Sequence, residues 1–421
     1  MFTALDRCLL PGREIGVSGS DGQGIFPDSS NLGSALLKEG SDWELRRVWF
    51  EDCTNLTRVR QRSQSLDVLR GIAVLLVLLC HYSPLLSFGG FGVDLFFVLS
   101  GFLISGLLFQ EFKATGTINV WRFWVRRGFK IYPPFYAFLL LTSLVLWFIT
   151  GGVPHEVVAD IFFVQNYFPH LWMHGWSLAV EEHFYIALPL LLLLLLAIGR
   201  RSPNAFRLIP ILSIALSVLC VYLRALAAHH ARTWDEMFAP THLRMDSLFA
   251  GVTLGYYAHF DAESFAEGRR KLVLVLGLLL VLPAFLFPGT VVGVTVAYVA
   301  FACIVAWAAN QPYSANRLLR SLEWVGYYSY SIYLWHGAAQ VFFDVVLRSV
   351  PHVVRFPLFI FSTILVGVGM AKLVEVPAIK LRNRLFPSLT STSIPSTRTL
   401  SPPIRSSLNP TLVIEAAPAQ D

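Results

Sequence analysis

Charge is what this chain has least of. Only 14% of its 421 residues are Asp, Glu, Lys or Arg, where a soluble domain carries about 25%, so the sequence cannot clothe a water-facing globular surface. Cysteine is sparse and unpatterned. The five cysteines (Cys8, Cys53, Cys80, Cys220 and Cys303) form no CxxC and no zinc-ligand spacing, and three of them sit in apolar runs. They read as packing thiols, not as disulfide or metal ligands. Nor is a cleavable signal peptide expected, because residues 1–60 show neither the charged start, the apolar core nor the small-residue cleavage site of one.

What the chain has is hydrocarbon. It is 55% hydrophobic with a mean hydropathy of +0.58, and runs of the roughly 20 apolar residues that a bilayer crossing needs recur along it. The expected fold class is all-α, a polytopic integral membrane helical bundle of about ten transmembrane helices. The expected spans lie near 67–86, 91–110, 132–151, 176–198, 207–226, 241–259, 271–288, 291–309, 325–347 and 356–376. Residues 154–170 are a weaker apolar stretch of re-entrant or interfacial character. Three parts are expected: a poorly ordered cytoplasmic extension (1–62), the transmembrane domain (63–386) and a disordered Ser/Thr/Pro-rich cytoplasmic tail (387–421).

The net charge of +6 does not point to nucleic acid, because the basic residues are not gathered on one surface. They alternate between connections, nineteen Lys and Arg on one side of the expected membrane against four on the other. By the positive-inside rule both termini are expected in the cytoplasm and the protein in the cytoplasmic membrane. Arg224 is one of the four on the outer side.

Ionisable groups inside a bilayer are costly and so are functional candidates. In LDVLRGIAVLLVLLCHY, Arg70 and His81 are eleven residues apart, which returns them to nearly one helix face about 16 Å apart along the axis. A snorkelling Arg70 paired with Asp67, together with a packing histidine, is the plainer reading. Asp94, in GGFGVDLFFVLSG, is expected at the depth of His81, where a carboxylate could fix the imidazole tautomer; a helix N-terminal carboxylate is the alternative. HGWSLAVEEHFY puts Ser177, Glu181 and Tyr185 on one stripe at every fourth position, with Glu181 and Glu182 at the same expected depth. The second histidine of a HExxH zinc site is lacking. THLRMDSLFAG contributes Arg244 and Asp246, the latter on one face with His242, and SYSIYLWHG contributes Ser329, Tyr333 and His336. Near the inner edge Arg126, Arg127 and Lys130 converge in WRFWVRRGFKIYPP, suited to a phosphate-bearing ligand but also to a positive-inside anchor.

These segments, in this order over residues 64–377 and ending on VEVP, resemble the acyltransferase 3 family of multi-pass membrane acyltransferases. Members of that family modify surface polysaccharides, lipooligosaccharide, peptidoglycan and some secondary metabolites. The resemblance implies acyl-CoA, in the first place acetyl-CoA, as a co-substrate, no permanently bound cofactor, and a carbohydrate or glycan acceptor. It carries the family's Arg-x10-His pair onto Arg70 and His81 and its WSLxxE element onto Trp176, Ser177, Leu178 and Glu181. The cytoplasmic RxxR element falls on Arg127 to Lys130, where Lys keeps the charge without the bidentate fork. The expected reaction is O-acyl transfer, with His81 as general base, Asp94 or Glu181 orienting it, and Arg70, Arg126, Arg127 and Lys130 holding donor phosphates. Trp176, Ser177, Glu182, Tyr185, Arg244, Asp246, Tyr333 and His336 are the expected supporting or acceptor-side residues. No metal is expected. Transfer to a small hydroxylated metabolite such as a macrolide, and transport without chemistry, remain as other readings; acceptor, chain length and oligomeric state are open.

Overall fold

The computed structural model describes residues 64–81, 90–199, 202, 204–230, 233–287, 289–313 and 316–387. Among these every regular element is helical. In chain order they are α1 (Gln64–His81), α2 (Gly92–Thr115), α3 (Val120–Thr150), α4 (Trp176–Ile198), α5 (Ile209–His230) and α6 (Met245–Phe260). Then follow α7 (Lys271–Leu286), α8 (Val291–Ala309), α9 (Arg317–Tyr327), α10 (Ser329–Val345), α11 (His352–Met370) and α12 (Val376–Leu385). A π-helical turn, Ala371–Glu375, joins the last two.

Among the described residues seven helices are long and apolar enough to cross a membrane: α1 to α5, α8, and α11 with α12 as one rod. The helices α6, α7 and α10 have 16, 16 and 17 residues, about 24–26 Å of rise each. The ends are set by short-range chemistry. Asn119 caps α3 by accepting the Arg122 N–H at 2.9 Å, while Gly116 and Gly151 end α2 and α3 at φ 74° and 79°, a backbone region that glycine enters without strain.

Three expectations about extent change. The span placed at 132–151 begins at Val120, so WRFWVRRGFKIYPP is not a flank of α3 but its first turns, and Pro133 and Pro134 lie inside the helix. The stretch 325–347 is two helices, α9 and α10, and 154–170 holds only a short helix, Val157–Ile161. Residues 1–62, the end of the first expected span at 82–86 and the tail beyond Pro387 lie outside the described residues.

Burial sorts the helices. In α2, apolar all round, 72% of the most hydrophobic window is buried, against 17% in α5; α2 is the axis, and α5 offers most of its surface outward, as lipid-facing helices do. The axis is packed backbone to backbone. A Cβ placed on Gly101 would overlap the Leu248 carbonyl, one on Gly251 the Val98 carbonyl, and one on Gly255 the Ser105 hydroxyl. Small residues at four-residue spacing thus bring α2 and α6 into direct contact, the usual route to tight association in lipid.

Replacing Gly101 or Gly251 with Val should lower the melting temperature of the detergent-solubilised protein, at a cost of about 1–3 kcal/mol or more. Gly369→Ala, at a position with nothing within 4 Å of an added Cβ, should leave it unchanged.

Candidate active site

Helices α1, α2, α3, α4, α9 and α10 enclose a cavity of about 110 Å³. Arg70, Arg127 and Lys130 line it, as does the whole α4 stripe of Ser177, Glu181 and Tyr185. The four-residue spacing that aligns these three on one helix face therefore turns them all inward. From α10, Tyr330 and Tyr333 complete the polar wall, and from α2, Ser100 among phenylalanines.

The cations are held differently from one another. Arg70 donates to Asp67 at 2.7 Å, the local pairing that its spacing allows, and still reaches the cavity. Arg127 lies over the rings of Phe123 and Tyr185, 5.9 and 5.8 Å from their centroids, which holds its stem by cation–π attraction while its guanidinium lines the cavity. Arg126, grouped with them by sequence, does not line the cavity. It donates to the Phe386 carbonyl, as Arg122 does to that of Pro387, and so the two serve the open carbonyls beyond the end of α12. Arg126 and Arg127 diverge by about 100° around α3, so of the three cations expected to converge, Arg127 and Lys130 meet at the cavity and Arg126 does not.

Glu181 also departs from its expected place. It accepts the Tyr185 hydroxyl at 2.8 Å, and Tyr185 is 2.8 Å from the Ser100 hydroxyl, so its carboxylate belongs to the cavity and not to His81. Glu182 is one residue on and therefore on another face, where it accepts the Tyr132 hydroxyl at 3.1 Å between α3 and α4.

Beyond the Ser177–Tyr333 end of the cavity lie three histidines. The Ser177 and Tyr333 hydroxyls are 2.5 Å apart, and the Tyr333 ring is 5.1 Å from that of His336. His336 is edge-on to both His81 and His174, with centroids 4.7 Å away in each case. The Nδ1 of His81 faces the Val77 carbonyl at 2.9 Å. A carbonyl only accepts, so that nitrogen carries the proton and Nε2 is left as the basic one. The backbone thereby supplies the tautomer control that sequence reasoning assigned to a carboxylate. His174 was not singled out from the sequence, although it opens the HGWSL segment; its Nε2 donates to the Leu334 carbonyl at 3.0 Å. A Cβ on Gly337 would strike its ring, so the glycine after His336 makes room for it. Among the described residues no group of three or more His, Cys, Asp or Glu is arranged to hold a metal ion.

Asp94 is accounted for elsewhere. It is 2% exposed and accepts from Arg244 at 2.7 Å and from Ser247 at 3.3 Å. The Arg244 guanidinium sits over Trp176 and Phe97, 5.5 and 5.6 Å from their centroids. Three motifs, GVD, WSL and RMDS, thus meet at one ion pair. Asp246 makes a second. Arg224 reaches it with both terminal nitrogens, at 3.1 and 2.6 Å, and is 0% exposed. Arg224, expected as a charge in an outer connection, is therefore a buried residue of α5 paired to α6. His242 does not share a helix face with Asp246, because α6 begins only at Met245; its ring contacts the Tyr167 hydroxyl at 3.1 Å.

The connection between α3 and α4 fixes the histidine end. Buried Asp160 accepts the Leu171 N–H at 2.8 Å, burial pushing its carboxyl up to about 6, and the Gln165 amide donates to the Gly175 carbonyl at 2.9 Å. These bonds straddle His174 and set its position before α4 starts.

The family model described as an acyltransferase domain matches residues 63–372. The peptidoglycan O-acetyltransferase OatA of Listeria monocytogenes is 26% identical over 352 residues, covering 76% of this chain and 56% of that protein. The O-acetyltransferase OatA of Staphylococcus aureus is 30% identical over 314 residues, covering 66% of this chain and 50% of that protein. A further Staphylococcus aureus relative, 34% identical over 210 residues, is covered over 34% of its length. The chain thus spans between about a third and somewhat over half of these curated relatives. No solved structure matches it.

Removing one partner of the Arg244–Asp94 pair, as in Asp94→Ala or Arg244→Ala, should destabilise the protein by about 3–5 kcal/mol through the uncompensated charge left behind. The double variant Asp94→Leu with Arg244→Met should recover much of that loss, read as thermal stability of the purified protein.

Proposed function

The chain belongs to the acyltransferase domain family, and from that membership we propose that it moves an acyl group, most simply acetyl, from acyl-CoA to a sugar hydroxyl of a cell-surface glycan. With its seven long apolar helices, it is a multi-pass membrane protein. In the proposal α6, α7 and α10 cross as well, giving ten spans in the cytoplasmic membrane. The transmembrane domain runs over 63–386, and both termini and the Arg70–Arg127–Lys130 end face the cytoplasm, the side the positive-inside rule favours.

One observation carries the reading. A single cavity is lined by Arg70, Arg127 and Lys130, and at its Ser177–Tyr333 end it adjoins the imidazoles. Arg70 and His81 lie eleven residues apart on one helix, roughly 16 Å, and a coenzyme A thioester has matching parts: phosphates at one end of a long arm and the acyl group at the other. Among the described residues the side chains of Arg127 and Lys130 make no hydrogen bond, so their side-chain N–H groups stand ready for phosphate oxygens.

In this mechanism the acceptor hydroxyl gives its proton to His81 Nε2 as its oxygen attacks the thioester carbon. The new C–O bond forms, the C–S bond breaks, and the thiolate takes up a proton to leave as the thiol. Glu181, tied to Tyr185 and Ser100, balances the cationic wall. Asp94, Arg244, Trp176 and Asp246 hold α2, α4, α5 and α6 in register and do not touch substrate. The names of the relatives, one of which includes peptidoglycan, favour a glycan acceptor over a small metabolite.

Deletion of the gene should remove an acetyl-sized mass from the surface glycans of the host, and wild-type protein should restore it. His81→Ala should remain in the membrane without restoring it; full restoration by that variant would sink the assignment of the base. Arg127→Ala should raise KM for acetyl-CoA about tenfold, the worth of one charge-assisted contact. Glycans left unchanged by the deletion would move the acceptor to a small hydroxylated metabolite.

A further inference from the structure

Two pairs of hydroxyls in the cavity wall have their protons already committed. Tyr333 donates to the His174 carbonyl at 2.9 Å, and a carbonyl can only accept. With the phenolic proton held there, the 2.5 Å contact between the Tyr333 and Ser177 hydroxyls must use the Ser177 proton. The second pair follows the same logic. Tyr185 donates to the Glu181 carboxylate at 2.8 Å, so the 2.8 Å contact with Ser100 takes the Ser100 proton. A serine inside a helix commonly turns that proton back onto its own backbone, as Ser105 does to the Gly101 carbonyl at 2.7 Å. Ser100 instead directs it across to α4. Both serines line the cavity, and each has lone pairs but no proton left to offer a ligand. They are hydrogen-bond acceptors set along the wall that joins the cations to the imidazoles.

A ligand matched to this wall brings hydrogen-bond donors at two points along its length. We propose that Ser177 and Ser100 accept the two amide N–H groups of the pantetheine arm of the acyl donor. Ser177, at the imidazole end, takes the amide next to the thioester. Ser100 takes the amide nearer the phosphates, because its partner Tyr185 lies under the Arg127 guanidinium. The proposal rests on the acyl-CoA reading above and adds how the arm between phosphate and thioester is held. The spacing is compatible: Ser177 is one turn, about 6 Å of rise, from Glu181, whose carboxylate anchors the Ser100 pair. In an extended arm the two amide nitrogens are about 5 Å apart. An amide that left water for a wall without acceptors would carry the full cost of its unmatched N–H. An acyl phosphate has no N–H to give, so the same wall favours an amide-bearing donor over it.

The test removes one amide proton at a time. Acetyl-CoA is compared with two analogues in which one or the other amide N–H is replaced by an ester oxygen, which keeps the length of the arm. Binding to the purified full-length protein in detergent is measured by titration calorimetry. Wild-type protein should bind either analogue about tenfold more weakly than acetyl-CoA, the effect of one hydrogen bond left unformed. Ser177→Ala should bind acetyl-CoA about tenfold more weakly, and the analogue altered next to the thioester no more weakly still, while it continues to discriminate against the other. Ser100→Ala should show the reverse. A purely structural role for either serine would weaken all three donors in equal proportion, and that result overturns the proposal. Should the variants not fold, the wild-type titrations decide: weaker binding of both analogues supports the two contacts, and equal binding of all three donors refutes them while leaving the acyl-CoA reading intact. A wild-type protein that binds none of the three would refute the acyl-CoA reading itself, and the two contacts with it.

Discussion

A charge cannot stay alone in hydrocarbon, and the buried pair between Arg244 and Asp94 is where that rule organises this protein. Desolvating either group costs several kcal/mol unless the other is present in good geometry. Asp94 is at the start of α2 and Arg244 just before α6, so their bond fixes how the two helices at the axis meet. Trp176 closes over the guanidinium, and this joins the start of α4 to the same point. The glycine contacts between α2 and α6 then have a defined register, and the α4 stripe has a defined direction in which to face. Cavity, cations and histidines all lie on this frame.

The site divides its chemistry by distance from that frame. Arg127 and Lys130 are on a long helix whose first turns are stiffened by capping at Asn119 and whose C-terminal half packs against the loop that carries Asp160. The imidazoles are held chiefly by backbone carbonyls: Val77 for His81, Tyr333 for His336 and Leu334 for His174. Carbonyls of a packed helix are fixed in position and cannot ionise. They impose a tautomer without placing another charge in the bilayer, which a carboxylate partner would do.

Much of this could be read from the chain. Two spans, 176–198 and 291–309, fall on the helices as formed, because long apolar runs bounded by polar turns leave little choice. The stripe of Ser177, Glu181 and Tyr185 was also legible, since helical periodicity alone decides which residues share a face. What that face meets was not. Asp94 and Glu181 looked available to His81 at matching depth, but depth along the membrane normal says nothing of position around the bundle. Their partners proved to be Arg244 and Tyr185. Arg224 was hidden for a different reason: an arginine near the end of an apolar run looks like a flank unless its carboxylate, 22 residues later, is known to face it. Arg126 was misplaced because helical spacing from Lys130 brings it near that residue but does not tell which neighbour claims its guanidinium, and the carbonyl of Phe386, 260 residues later in the chain, does so.

The same ion pair bears on how the protein comes into being. Asp94 and Arg244 are 150 residues apart in the chain. At ribosomal speeds of about 5–20 residues per second, Asp94 is made roughly 8 to 30 s before its partner. Throughout that interval α2 has no stable resting place at its final depth, so it must linger at the interface or lean on the insertion machinery until α6 arrives. Arg224 and Asp246, by contrast, emerge almost together. Assembly of this bundle is therefore ordered in time, with its central helix settling after helices that follow it in the chain.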